Sequence, residues 1–381
     1  ENSSRVFRES DFKKLHDFYE NKAEAIHIVG KYAETMLYNK QAAQELLNDY
    51  FTLDIQSFRQ KYMMTPEERG AVSINLRERI GAVNKEQKAI IKSSARHILV
   101  GAGPGSGKTH MLVHKAASLL WLEETQPNSL LVLTFTRSAC REIRKRLNAL
   151  ALGLTHGVTI TTFHALAFSI LGIQGSKKDF KRRGKENNSE DIIDKAAEVI
   201  MSGEDVGIGA PGVILVDEFQ DLSSSEYKML KAIYNYGDKP PRIIAVGDDD
   251  QSIFEFRGSS SEYFRKFATE FPNTKEFYLT NNYRSAAKIV RGNEEILSYL
   301  DYRVKSGKRQ TAINLDRGEL DFYEEHDVSR GAFAAAQILL DKKKDVKESA
   351  CILSPKNAES FLAAAKLEEL GEDCRIIKGL D

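Results

Sequence analysis

The chain has 381 residues, room for two or three domains, and carries 55 Lys plus Arg against 55 Asp plus Glu. A net charge of zero excludes a global attraction to polyanions, so any nucleic-acid contact has to come from local patches. No apolar run reaches the roughly 18 residues of a membrane span and no signal peptide is visible, while Cys140, Cys351 and Cys374 form no metal-ligand or redox pattern, which points to a reducing cytoplasmic setting.

In chain order, residues 1–82 are rich in helix formers. Leu15, Phe18, Tyr19, Ile26, Val29, Tyr32, Ala33 and Met36 follow a helical stripe, and Thr65-Pro66 has the N-cap and first-position residues of a further helix. This part reads as a helical adaptor with no legible chemistry. The chain begins at Glu1 rather than methionine, which leads to the expectation of a piece of a longer protein.

His97 to Val100 reads as a strand, and Lys108 to Leu122 as a helix carrying Met111, Leu112, Lys115, Ala116, Leu119 and Leu120 at helical spacing. Between them lies Gly101-Ala-Gly-Pro-Gly-Ser-Gly-Lys108-Thr109. Strand, glycine loop and helix make the context of a phosphate-binding loop, in which backbone N–H groups and the helix N-terminus converge on phosphate oxygens. The strict pattern has glycine where Ala102 stands, so this is the Ala-initiated variant. The competing reading is a glycine-rich turn without a nucleotide. In the phosphate-loop reading Lys108 reaches the β/γ-phosphates and Thr109 holds Mg²⁺.

Val213 to Val216 is a β-branched run suited to a buried parallel strand, and it ends in Asp217-Glu218-Phe219-Gln220-Asp221. Carboxylates at that end of a strand are placed where open α/β sheets bind ligands, with Asp217 toward Mg²⁺ and Glu218 toward an attacking water. Acidic residues after a strand are also common helix N-caps. A third strand, Arg242 to Val246, leads into Gly247-Asp-Asp-Asp-Gln251, whose glutamine is placed to sense a γ-phosphate. The fold class is therefore α/β, a RecA-like nucleotide-binding domain with a parallel sheet.

These segments together resemble the UvrD/Rep family of superfamily 1 DNA helicases, from about Val83 to Ser285. Asn84-Lys-Glu-Gln87 resembles the Q motif, Leu131 to Thr136 motif Ia, Thr161-Thr-Phe-His164 the strand-touching TFH segment, Asp217 to Asp221 the DExQD box, Gly247 to Gly258 motif III, and Asn282-Tyr-Arg-Ser285 motif IV. The resemblance implies that ATP is bound by Gln87, Gly103, Gly105, Ser106, Gly107, Lys108, Thr109, His110, Tyr283 and Arg284. It implies Mg²⁺ on Thr109 and Asp217, and catalysis by Lys108, Glu218, Gln251 and Arg284, with Tyr283 stacking on adenine and Arg284 as an arginine finger. Single-stranded DNA is expected on Phe135, Thr136, Phe163, His164, Phe256 and Arg257, although an aromatic beside a strand end is more often core when taken singly. His110 stands where relatives often carry arginine, and Phe256 where they often carry tryptophan.

The sequence Gly247 to Ser259 is similar to the UvrD-like module fused behind a RecQ-type helicase in some bacterial proteins, which implies an additional helicase module in the full-length chain. Arg141, Arg144, Lys145 and Arg146 form one basic patch and Lys177 to Lys185 another; each is read equally as DNA contact or as a solvated face. The expected domains are a helical adaptor over 1–82, a RecA-like domain over 83–284 with a reduced helical insertion at about 172–210, and the start of a second RecA-like domain over 285–381. In the last, Leu320 to Tyr323 and Ala350 to Leu353 read as strands, Gly331 to Leu340 and Ala358 to Leu370 as helices. Motif VI is not recognised, and Ile377 to Asp381 only resembles part of motif V, so weak hydrolysis is expected of this piece alone. The expected function is ATP-driven 3′ to 5′ movement on single-stranded DNA with duplex unwinding; an ATP-switched DNA-binding module and a helical partner-recruiting scaffold are the alternatives.

Overall fold

A computed structural model describes residues 40–52, 66–151, 157–172, 189–203, 209–252, 262–299, 307–316, 318–342 and 350–376. The N-terminal apolar stripe, the basic run at Lys177, the aromatics Phe254 and Phe256, Arg257 and the segment 377–381 lie outside the described residues.

Helices α1 (Lys40–Thr52), α2 (Pro66–Ala82) and α3 (Lys85–Lys92) precede β1 (His97–Ala102) and α4 (Lys108–Trp121). There follow β2 (Leu130–Thr134), α5 (Arg137–Ala151), β3 (Thr159–Thr162), α6 (Phe163–Ile170), α7 (Ser189–Met201), β4 (Val213–Val216) and α8 (Ser224–Tyr234). The first unit continues through β5 (Arg242–Gly247), α9 (Glu262–Glu270), β6 (Thr274–Leu279), β7 (Asn281–Asn282), α10 (Ala287–Leu297) and β8 (Thr311–Ala312). Helix α2 starts at the expected Pro66, whose missing N–H costs nothing in a first turn.

The six long strands form one sheet in the order β3-β2-β4-β5-β1-β6, every pair parallel. Parallel strands covered on both faces have to be apolar throughout, and β1, β2 and β4 are buried along their whole length. Alternation divides the side chains between two cores. Ile98, Val100, Val132, Leu215 and Val246 pack with Met111 and Leu112 of α4 and Ile143 and Leu147 of α5. Leu99, Leu133, Ile214, Val216 and Ile243 face the other way, toward Ile193 of α7, Leu230 of α8 and Phe264 and Phe267 of α9.

The register places Gly101 beside Gly247 and Val216 beside Ala245. The loops after β1, β4 and β5 therefore leave the same edge of the sheet side by side, because β5 lies between the other two.

One expectation is corrected here, that of two strands after residue 318. The first compact unit runs to Gly318. Residues past 284 stay with it because Thr311 N donates to Thr280 O, Ile313 N to Asn282 O and Ala287 N to Asp316 O. The second unit, from Glu319, contains the helices α11 (Val328–Lys342) and α12 (Asn357–Glu369), which pack on each other. The strands expected at 320–323 and 350–353 are not formed: no ladder partner is present among the described residues, and Phe322, Tyr323 and Leu353 are 82%, 65% and 90% exposed.

Candidate nucleotide site and strand-contact residues

Strand β1 delivers the glycine loop to the N-terminus of α4. Gly105 and Gly107 take φ of 68° and 84°, the left-handed region that L side chains avoid. A Cβ at Gly107 would also lie 2.7 Å from Gln87 Nε2 and displace that amide. Ser106 is buried and turns its hydroxyl inward to Gly103 O at 2.6 Å. Ser106 N also donates to Gly103 O, at 3.3 Å, and the first turn of α4, whose N–H groups have no intrahelical acceptor, can face an anion. Lys108 leads that turn and its Nζ donates to Glu218 Oε2 at 3.1 Å, tying the loop after β1 to the loop after β4. Thr109, the next residue, is half-buried.

The loop after β4 is built tightly. Asp217 N donates to Leu133 O, and the buried Asp217 carboxyl is pushed up to about 7, first by burial and then by the charge of Glu218. Glu218 sits at φ 51°, ψ 49°, a strained conformation for a residue with a Cβ. The fully buried Phe219 anchors the turn that follows it. Gln220, absent from the expected catalytic set, is the organiser. Its Nε2 donates to Glu218 Oε2 at 3.1 Å and Asp221 Oδ2 at 3.2 Å, while its Oε1 accepts from Asp248 N at 2.9 Å. Asp248 in turn accepts from Gln251 Nε2 at 2.5 Å, so one chain of hydrogen bonds runs from Glu218 to Gln251.

The donor set suits Mg²⁺, which prefers hard oxygen ligands. Asp217, whose Oδ1 accepts from Glu218 N at 3.2 Å, and the Thr109 hydroxyl are the candidate ligands, and the buried Asp221 Oδ1 and Thr134 Oγ1 have no hydrogen-bond partner among the described residues. Asp221, like Asp217, is pushed up to about 7 by burial and then by Glu218.

On the other side of the phosphate loop, Asn84 caps α3 by accepting from Gln87 N, and its amide donates to the Tyr283 hydroxyl at 2.6 Å. Gln87 is buried, with Nε2 on Ser106 O. Tyr283 is 46% exposed, and its N–H is held by Gly105 O at 2.9 Å. Gln87, Tyr283, His110, His114 and Arg146 border a cleft of about 820 Å³. His110 and His114 lie ring against ring, tilted by 43° with centroids 4.2 Å apart. Burial lowers both imidazoles below their ordinary 6.5, and Arg146 beside His110 and Arg79 beside His114 add to it. Arg284 is exposed at the lip of the loop, its N–H fixed by Asn282 Oδ1.

The candidate strand-contact residues divide. Phe135 and Thr136 follow β2 and are half-buried; Thr136 Oγ1 accepts from Ala139 N and so caps α5. His164, at the start of α6, has Nδ1 3.9 Å from Glu226 Oε1. Phe163 is corrected. It is 2% exposed in the core with Leu133 and Phe219, because helix α6 begins there and turns the ring inward behind the Thr162 cap. A ring so enclosed presents no face to a base. The basic patch on α5 also divides: Arg144 donates to Ile160 O, Arg146 lines the nucleotide cleft, and Arg141 and Lys145 are exposed. Phe256 and Arg257 lie outside the described residues.

Residues 83–205 and 212–272 match the model of the UvrD/REP helicase N-terminal domain. This part of the chain is a UvrD/Rep-family helicase N-terminal domain. It is similar to DNA helicase II of Salmonella typhimurium strain LT2 and of Escherichia coli strain K12, in each case 25% identical over 380 residues that cover 79% of this chain and 52% of the relative. It is likewise similar to ATP-dependent DNA helicase PcrA of Bacillus subtilis strain 168, 24% identical over 389 residues, 79% of this chain and 51% of that one. The chain thus spans about half the length of these relatives. Among the described residues, no helix of the chain is long and apolar enough to cross a membrane.

Proposed function

We propose that this chain is the ATP-hydrolysing part of a DNA helicase that moves 3′ to 5′ on single-stranded DNA and unwinds duplex. The observation that carries the reading is the Lys108–Glu218 pair, which sets a phosphate-binding lysine and a general base against each other across adjacent strand ends. In ATP's absence the two charges satisfy one another. Bound β/γ-phosphates compete for Lys108 and release Glu218 to accept a proton.

Gln87 and Tyr283 hold the nucleobase, and the N–H groups of Gly105 to Thr109 hold the phosphate oxygens. Thr109 and Asp217 would hold Mg²⁺, which when bound would neutralise phosphate charge. Glu218 takes a proton from water as its oxygen bonds the γ-phosphorus, and the bond to the β,γ-bridging oxygen breaks, leaving ADP and phosphate. The exposed Arg284 is placed to meet charge growing on the γ-phosphoryl oxygens. Gln220 and Asp248 link this chemistry to Gln251, and the proposed strand contacts are Phe135, Thr136, His164, Phe256 and Arg257.

Direction is tested with the full-length protein on partial duplexes that carry either a 3′ or a 5′ single-stranded tail. ATP-dependent strand release from the 3′-tailed substrate is expected. Equal release from both, or preference for the 5′ tail, would overturn the polarity.

A further inference from the structure

We propose that Gln310 is a positioning residue for the phosphate loop, holding the Pro104 carbonyl from behind so that the loop's N–H groups face the phosphates. This rests on the nucleotide site proposed above. Gln310 belongs to none of the nucleotide motifs, and its segment lies beyond the matched helicase domain.

The Pro104 carbonyl accepts from Asn282 Nδ2 at 2.9 Å and from Gln310 Nε2 at 3.2 Å, which uses both of its lone pairs. The orientation of the two amides is determined by their neighbours. Asn282 Oδ1 accepts from the N–H groups of Arg284 and Ser285, so its nitrogen faces the loop and also donates to Gln310 Oε1 at 3.3 Å. Gln310 then has only its own nitrogen left for Pro104; reversed, two oxygens would oppose each other.

Gln310 is itself anchored on both sides. Its backbone N–H donates to Glu294 Oε1 of α10 at 3.1 Å, and the next residue, Thr311, donates to Thr280 O at the start of the β7–β8 pair. The fit against the loop is close: a Cβ on Gly103 would fall 2.0 Å from Gln310 Nε2. Gly103 has no positive φ, so a side chain there would meet no backbone strain but would have to push the Gln310 amide off its place against the loop. The same Asn282 amide carries Tyr283 and Arg284. Gln310 thereby joins the phosphate loop to the residues that meet the nucleobase and the γ-phosphate.

The test measures Mg-ATP affinity, ATP turnover and thermal stability of the full-length protein with Gln310→Leu, Gln310→Asn and, as a control on the site itself, Lys108→Ala. Gln310→Leu keeps the bulk and removes the donor. It is expected to weaken Mg-ATP binding by about five- to tenfold, the worth of one such hydrogen bond, and to raise KM by a similar factor while saturated turnover stays within about twofold. Gln310→Asn, too short to reach Pro104, should follow Gln310→Leu. Lower thermal stability with unchanged Mg-ATP affinity in both variants would make Gln310 a structural residue only and overturn the proposal. If Lys108→Ala also retains full affinity, the nucleotide site itself falls; if only the Gln310 variants do, the site stands and the positioning role falls.

Discussion

At Glu218 the backbone enters a left-handed conformation that costs about 1–3 kcal/mol for a residue with a side chain. That strain persists because Asp217, Phe219 and Gln220 each fix the neighbouring chain, and the result aims a carboxylate at Lys108 across the cleft. Gln220→Met removes the donor to Glu218 and the acceptor for Asp248 N while preserving volume. Turnover should fall by about tenfold with Mg-ATP affinity nearly unchanged, as Glu218 loses the amide donor that orients it, and DNA stimulation should fall with it. Normal turnover in this variant would show that Glu218 is oriented by its own backbone alone. Of the three phenylalanines expected to meet DNA, Phe163 and Phe256 call for opposite outcomes. Phe163→Ala, in the core, should cost about 3–5 kcal/mol of stability; Phe256→Ala should cost about 1–3 kcal/mol of single-strand affinity and little stability. Fluorescence anisotropy with a labelled oligonucleotide, set beside a thermal melt, separates them, and the reverse pattern would return Phe163 to the strand-contact set.

Among the elements, those with a strong local signature were readable from sequence. The glycine loop, β4 and β5 combine residue types that few other structures use with β-branched runs that a two-sided parallel sheet requires. Strand β6 lacked that signal because Thr274, Lys275 and Glu276 face an edge where polar residues are tolerated. The pair β7–β8 is two residues long on each side, too short for any period to show. Gln310 had no signature at all, since its importance comes from a contact 206 positions away in sequence.

His97 shows how element packing sets a pH response. Its Nδ1–H donates to Pro272 O at 2.6 Å and its Nε2 accepts from the Tyr234 hydroxyl at 3.1 Å, joining β1 to the end of α8 in the neutral tautomer. Burial, with Arg96 adding to it, lowers its pKa below 6.5 despite the Pro272 bond. The unfolded chain therefore takes up a proton near pH 6.5 that the native state refuses. Stability from this residue is complete above that pH and is lost as pH falls below it. In denaturant titrations the advantage of wild type over His97→Gln should shrink between about pH 7.5 and about pH 5.5. A constant difference would mean that His97 titrates normally in the fold.

For the whole molecule, sheet order explains why motifs scattered from Gln87 to Arg284 meet at one edge: β5 sits between β4 and β1, and the switch from one loop to the next falls at their carboxyl ends. Sequence spacing gave the participants, but Asn282, Gln220 and Arg146 acquire their places only from long-range packing. The central claim is that Glu218 activates water at a site whose turnover a DNA strand controls. Its most direct test is steady-state ATP hydrolysis by the full-length protein and its Glu218→Gln variant, each with and without a single-stranded oligonucleotide. Wild type should be stimulated strongly by the strand, and the variant should bind Mg-ATP yet turn it over at a small fraction of the rate in either condition. Turnover of the variant within a few-fold of wild type, or a wild-type rate indifferent to DNA, would contradict the account.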